Sequence, residues 1–364
     1  MTSVVEAFRS SGDARIYRIP LNLFPILSGY VHLVFADDVI ALIDVGSGFG
    51  DANDQLEAGM AEVRSEYGEK ANWEDLTHVL ITHGHIDHFG GLHYVRERTQ
   101  AKVGIHDLDL RVLANYEERL KVVEYRLRTF LVEAGVDAVE GQGIMNLYLL
   151  NKYLFSSLSP DFTYEAVGMR VGPLRMVHVP GHCPGQVVIQ LDDVLFSADH
   201  VLAETSPHQA PERLSLNTGL GHYLESLKRL RPLAGAIRLT LGGHEGPIED
   251  LAGRISEIEQ LHQERLEQVL NLLDEPKTIA EISQSLFPDV DGYHKLLALE
   301  EAGAHVEYLA LRGYLKIDNL DQLDFDTPAP VRYSRLEGVD RLRSAFNAET
   351  PGGVLALDGV SASI

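Results

Sequence analysis

The chain has 364 residues, with 31 basic and 54 acidic side chains and a formal net charge of -23 at pH 7. Its 45% apolar content allows a large buried core with room for a second, smaller domain, and the acidic balance argues against a nucleic-acid partner, which needs a clustered basic surface. A single cysteine, Cys183, excludes an internal disulfide, and no run approaches the ~18 apolar residues of a membrane span. No basic start followed by an apolar stretch marks a signal peptide, so a cytoplasmic location is expected.

Short strands are predicted between residues 14 and 45, where RIYRIPL, YVHLVFA and DVIALIDVG are broken by Pro25, Gly29 and the Asp37-Asp38 pair. A helix follows near 53–67 and stops at a glycine. THVLITH and AKVGIHD read as strands on either side of a histidine-rich turn, and a long helix-forming stretch runs from about 107 to 158. Strands return in GMRVGPLRMVHVPG, GQVVIQL and DVLFSAD, then a helix in GHYLESLKRLRPL and a strand in IRLTLGG. Strands followed by helices, twice over, predict an α/β fold with two sheets between helical layers. Beyond 253 the apolar spacing of Ile255, Ile258, Leu261, Leu266, Val269 and Leu273 predicts a helix, followed by two more helices and a hairpin. The expected organisation is a catalytic domain over 1–253 with a helical insertion at 107–165, a winged-helix-like module over 254–324, and a loop or partly disordered tail over 325–364.

The stretch ITHGHIDHFGG, residues 81–91, places His83, His85, Asp87 and His88 where a strand empties into a turn. Divalent metals take neutral imidazole and carboxylate ligands, typically from loops that meet at one end of a sheet. Three more candidates each follow a strand: His182 in VPGHCPGQ, Asp199 in LFSAD and His244 in LGGHEGP. Five histidines and two carboxylates suffice for two metals with positions left for water. His32, His93 and His106 read as structural, His200 as turned away from the site, and Cys183 as a small packed residue rather than a nucleophile.

The HxHxDH run followed by a distant His, an Asp and a final His resembles the metallo-β-lactamase fold superfamily, over residues 14–250 in order and spacing. The resemblance implies an αββα sandwich. It also implies that His83, His85 and His182 bind one metal, that Asp87, His88 and His244 bind a second, and that Asp199 bridges both. Asp44 matches a buried aspartate that braces the histidine loop. The implied cofactors are two divalent ions, zinc first and Fe or Mn as alternatives. A shared water acidified toward neutrality would act as a metal-bridging hydroxide, with Asp87 orienting it and handling its proton. Redox relatives carry glutamate where His85 stands, and true lactamases of one class carry cysteine where Asp199 stands. The site thus resembles glyoxalase II, the lactonases and nuclease-like members, and a small carbonyl ester is the expected substrate, a thioester first and a lactone or other ester next. A mononuclear iron dioxygenase is a minor alternative.

A lactamase-like domain followed by a small winged helix also resembles the β-lactamase-like protein 2 branch, which implies an RNA or phosphodiester hydrolase as the main alternative. Charge opposes that reading. Residues 266–324 hold four basic residues (Lys277, Lys295, Arg312, Lys316) against twelve acidic ones, and the candidate recognition helix, 293–312, carries Glu300, Glu301 and Glu307. The module is expected to serve packing or dimerisation, so the protein is read as a homodimer with a small-molecule substrate. Tyr148 and Tyr153, in the apolar stretch 144–158, and His208, in the loop after Asp199, are candidate substrate contacts.

Overall fold

A computed structural model of the chain describes residues 5–150, 152–324, 326–338 and 342. Strands β1 (Glu6–Arg9), β2 (Arg15–Phe24), β3 (Leu27–Ala36) and β4 (Val39–Ile43) form an antiparallel meander. The β3–β4 turn is the Asp37-Asp38 pair, and Asp37 adopts φ 51°, which short polar side chains tolerate. Helix α1 (Ala52–Tyr67) then crosses to strand β5 (His78–Leu80), parallel to β4. Two short helices, α2 (Ile86–Phe89) and α3 (Leu92–Arg96), precede strand β6 (Lys102–Ile105), parallel to β5.

The stretch expected to be one long helical region is three helices: α4 (Leu110–Ala114), α5 (Tyr116–Glu133) and α6 (Ala138–Leu149). Gly135, at φ 84°, takes the left-handed conformation that ends α5. The Asp137 carboxylate then accepts from the amides of Val139 and Glu140 at 3.0 and 3.1 Å and starts α6. Strand β7 (Phe162–Thr163) pairs parallel with β6 and completes a seven-stranded sheet that runs β1 to β7 in chain order.

A second sheet holds β8 (Arg170–Val171), β9 (Leu174–His178), β10 (Val187–Leu191), β11 (Val194–Ala198) and β12 (Leu239–Gly242), in the order β12-β11-β10-β9-β8. The crossover from β11 to its parallel neighbour β12 carries α7 (Leu220–Ala234). Between the sheets lies a core that includes Ile16, Val34, Ile43, Leu174, Ile189 and Phe196. The outer face of the first sheet packs on α1, α3 and α4 through residues such as Leu33, Met60, Leu92 and Leu113. The outer face of the second packs on α5, α6 and α7, with Leu127, Tyr223 and Leu227 among the buried residues. Helix, sheet, sheet, helix is the αββα order.

The C-terminal elements are α8 (Leu251–Leu272), α9 (Ile279–Leu286), α10 (Gly292–Leu311), β13 (Leu315–Ile317) and β14 (Tyr333–Arg335). Helix α8 runs through the expected boundary at 253–254 without a break. Its buried face (Ile255, Ile258, Leu266, Val269) shares a core with Tyr223 of α7 and Leu299 and Val306 of α10. Most of the 325–364 tail lies outside the described residues. Its described part includes β14, which pairs antiparallel with β13 and is anchored by Tyr333 in the same core. No helix among the described residues is long and apolar enough to cross a membrane.

Candidate metal centre

Four strand ends converge at one edge of the sandwich. Asp44 follows β4, His83 to His88 follow β5, Asp199 follows β11 and His244 follows β12; His182 lies in the loop between β9 and β10. The ligand atoms of His83, His85, His182 and Asp199 all lie within 4.8 Å of one another, and so do those of Asp87, His88, Asp199 and His244. Asp199 belongs to both groups. One of its oxygens lies 3.3 Å from His88 Nε2, while the other lies 3.7 Å from His182 Nε2 and 3.4 Å from His244 Nε2. Asp87 lies 3.5 Å from His244 Nε2 and 3.8 Å from His88 Nε2. The structure therefore brings all seven sequence-derived ligand candidates together.

The donor set fits divalent cations. Nε2 of His88, Nε2 of His182 and Oδ1 of Asp199 are buried without a well-formed hydrogen bond, which a native interior tolerates only where something else satisfies them. Burial drives His83, His85 and His182 below the usual imidazole range, so they present the neutral form that ligates metal. Burial also opposes charge on His244, yet Asp199 and Asp87 outweigh it and lift His244 to about 10. His88 rises in the same way, under Asp199, Asp44 and Asp87. Three carboxylates converging on two imidazoles make a pocket that attracts positive charge.

Three of the ligand imidazoles find an acceptor for the far nitrogen. His88 Nδ1 donates to Asp44 at 2.8 Å, His244 Nδ1 to the Ser28 carbonyl at 2.7 Å, and His182 Nδ1 to the His208 carbonyl at 2.8 Å. Such bonds fix the tautomer and orientation of a metal-ligating histidine. Asp44 also accepts from the Thr82 amide and hydroxyl, both at 2.8 Å, and thereby ties β4 to the start of the histidine turn. Gly84, between the first two histidines, donates to the buried Asp109 at 2.9 Å, and burial pushes the Asp109 carboxyl up to about 6. Gly243 is required by space: a Cβ there would lie 2.6 Å from Asp199 Oδ1 and 2.7 Å from His88 Cε1.

The other sequence candidates lie apart from the ligand cluster. The His208 ring is half-buried and donates to Glu300 of α10 at 2.9 Å. Tyr153 is 67% exposed. Tyr148 is partly buried in the core, and Lys152 Nζ stands 4.6 Å above its ring. Burial pushes Lys152 down to about 8, with Arg119 acting in the same direction and Asp87 and Glu300 opposing it. His200 is buried and belongs to neither ligand group; its ring packs against Tyr223. Cys183 is buried and free. Thr82, Ser28 and Asp109 escaped the sequence reading because each is an unremarkable residue type whose partner is distant in the chain or a backbone atom, and Lys152 because one lysine in a helical stretch carries no signal.

These features define a metal-binding αββα protein. The sequence profile of the metallo-beta-lactamase superfamily matches residues 25–244, more than half of the chain, and the chain belongs to that superfamily. It is 25% identical over 307 residues to a probable metallo-hydrolase, YqjP, of Bacillus subtilis, a match covering 82% of this chain and 92% of that protein. A metallo-beta-lactamase family protein of Thermus thermophilus, TTHA1429, superposes with a TM-score of 0.66 at 27% identity, over 88% of this chain and 98% of that one. Hydroxyacylglutathione hydrolase of a Shewanella strain is 27% identical over 152 residues, 40% of this chain and 45% of that protein. The protein is a metallo-hydrolase of this superfamily.

Proposed function

We propose that the protein is a binuclear, zinc-dependent hydrolase of a small carbonyl ester, with a thioester as the first substrate class and a lactone or other ester as the second. The observation that supports this reading is the position of Asp199 in both ligand groups, where one carboxylate would serve two adjacent cation sites. Two divalent cations bound there would supply an acidified water and a Lewis acid for the carbonyl oxygen. The chain's own residues do the rest. Asp87, whose carboxylate His88 and His244 hold below the usual range against the effect of burial, stays ionised and can orient a water and receive its proton. No side-chain nucleophile is needed: Cys183 is buried, and burial keeps its thiol protonated.

The substrate side of the reading rests on two supports. The Shewanella relative is named for an acylglutathione, which is a thioester. Lys152, which interacts electrostatically with Asp87 and His85, offers a cation that suits an acyl group carrying an anionic portion. The test is a screen of the zinc-loaded protein against acyl thioesters, lactones, phosphodiesters and single-stranded RNA. Thioester hydrolysis that a chelator abolishes and zinc restores is the expected result. Metal-dependent RNA cleavage without esterase activity would overturn the reading.

A further inference from the structure

The loop that leaves Asp199 runs beneath α10, and the C-terminal helices hold it at several points. Ser206 Oγ meets His262 Nε2 of α8 at 2.9 Å. The His208 ring donates to Glu300 at 2.9 Å, the Gln209 amide to Glu301 Oε2 at 2.8 Å, and the Glu212 amide to Glu307 at 2.6 Å. The acidic residues that weigh against a nucleic-acid-reading helix are thus engaged with the chain's own loop.

One peptide unit in this loop is held from both ends. The carbonyl of His208 accepts from His182 Nδ1 at 2.8 Å, and the amide of Gln209, the other end of the same peptide, donates to Glu301 at 2.8 Å. We propose that Glu301 is a positioning residue for the metal ligand His182, acting through the 208–209 peptide. A carboxylate on the N–H end fixes the peptide plane and polarises it, so the carbonyl end holds the imidazole more strongly in one tautomer and one orientation. Asp44 does the same for His88 by direct contact at 2.8 Å. On the other ligand group, the carboxylate is supplied one peptide further away, from a helix residue 92 positions beyond Gln209. The C-terminal helices are therefore part of the metal centre's support.

Burying Glu301 requires compensation, and its surroundings provide it. Arg265 donates to Glu301 Oε1 at 2.6 Å. His262 Nδ1 faces His305 Nε2 at 3.1 Å, and His305 Nδ1 donates to the Glu301 carbonyl at 2.7 Å. His262, Glu301 and His305 also have ligand atoms within 4.8 Å of one another. Arg265 already lies on the Glu301 oxygen that faces them and every ring nitrogen has a partner, so this cluster acts as a buttress rather than a third cation site.

The proposal rests on His182 as a metal ligand and not on the hydrolase reading, so its test needs no substrate. Full-length Glu301→Gln and Glu301→Ala are loaded with Co2+ for the visible spectrum and titrated with Zn2+ against a chelator, alongside Leu311→Ala, a 72% exposed position on the same helix. Glu301→Ala is expected to weaken one of the two metal equivalents by roughly 10–100-fold and to alter the Co2+ bands. The isosteric Glu301→Gln keeps a neutral acceptor, so its loss should be smaller, roughly tenfold or less. Leu311→Ala should match the wild type. If Glu301→Ala does not fold, Glu301→Gln decides alone. Variants that melt earlier but keep both affinities and the Co2+ spectrum would overturn the proposal, and so would a third bound metal lost with His262→Ala.

Discussion

Asp44→Asn isolates the electrostatic part of the support beneath the histidine turn. Asp44 sits at φ 60°, a conformation that Asn tolerates as well as Asp, so the exchange adds no backbone strain and almost no volume. The carboxylate accepts three hydrogen bonds, from the Thr82 amide, the Thr82 hydroxyl and His88 Nδ1, each at 2.8 Å. An amide offers one oxygen and one NH2 in place of two oxygens. Whichever way it turns, its NH2 must face either the Thr82 amide or the His88 N–H, leaving a buried donor–donor contact. That contact costs about 1–3 kcal/mol, and the loss of the charge-assisted bond to His88 weakens metal binding by roughly 10–100-fold. Thermal melting of the metal-free protein reads the first effect. Zinc competition with a chelator reads the second, which should fall on the equivalent held by Asp87, His88 and His244. An Asp44→Asn protein with wild-type melting and wild-type zinc affinity would refute the argument.

Three further outcomes are expected. Gly243→Ala should lower metal occupancy and destabilise the fold by about 1–3 kcal/mol, because its Cβ would press on both Asp199 and His88; intact occupancy by elemental analysis would contradict this. Burial lowers His262 to about 3, below its unfolded value, with His305 acting in the same direction. A depressed histidine contributes stability that is present above pH ~6.5 and lost as pH falls toward 3, by at most about 1.4 kcal/mol per pH unit. His262→Gln should therefore flatten the acid side of a melting-temperature profile, and an unchanged slope would count against it. Lys152→Ala should raise KM for an anionic thioester by more than it lowers kcat, while a neutral ester should be indifferent; equal effects on both esters would remove Lys152 from substrate recognition.

Much of the fold is legible locally. The β-branched runs at 15–43 and 187–198, broken by Pro25 and by turn pairs such as Asp37-Asp38, mark strands whose partners are near in sequence. The seven ligand candidates are legible because metal chemistry restricts residue type so strongly that each stands out in a turn or loop that follows a strand. Breaks at Asn115 and Gly135 within the helical insertion are harder to see, because good helix formers such as Leu113, Ala114, Glu117, Glu133 and Ala134 stand close on either side. The boundary near 253 rests on amphipathic spacing, which announces a helix without saying what its apolar face will meet. In the chain that face belongs to the same core as α7. The work of Glu301 and Glu307 is invisible in one dimension, since their partners are backbone amides at 209 and 212, and a backbone amide has no sequence signature. His208 stands out as a histidine near the site, whereas its carbonyl, common to every residue, is the atom that meets His182.

The claim of two cation sites hinged on Asp199 is tested most directly by metal content. Elemental analysis of the purified, zinc-reconstituted protein should give two metals per chain. His182→Ala and His244→Ala should each retain about one, from opposite ligand groups, and Asp199→Ala should weaken both. A wild-type protein that saturates at one metal, with His244→Ala leaving that stoichiometry unchanged, would contradict the account.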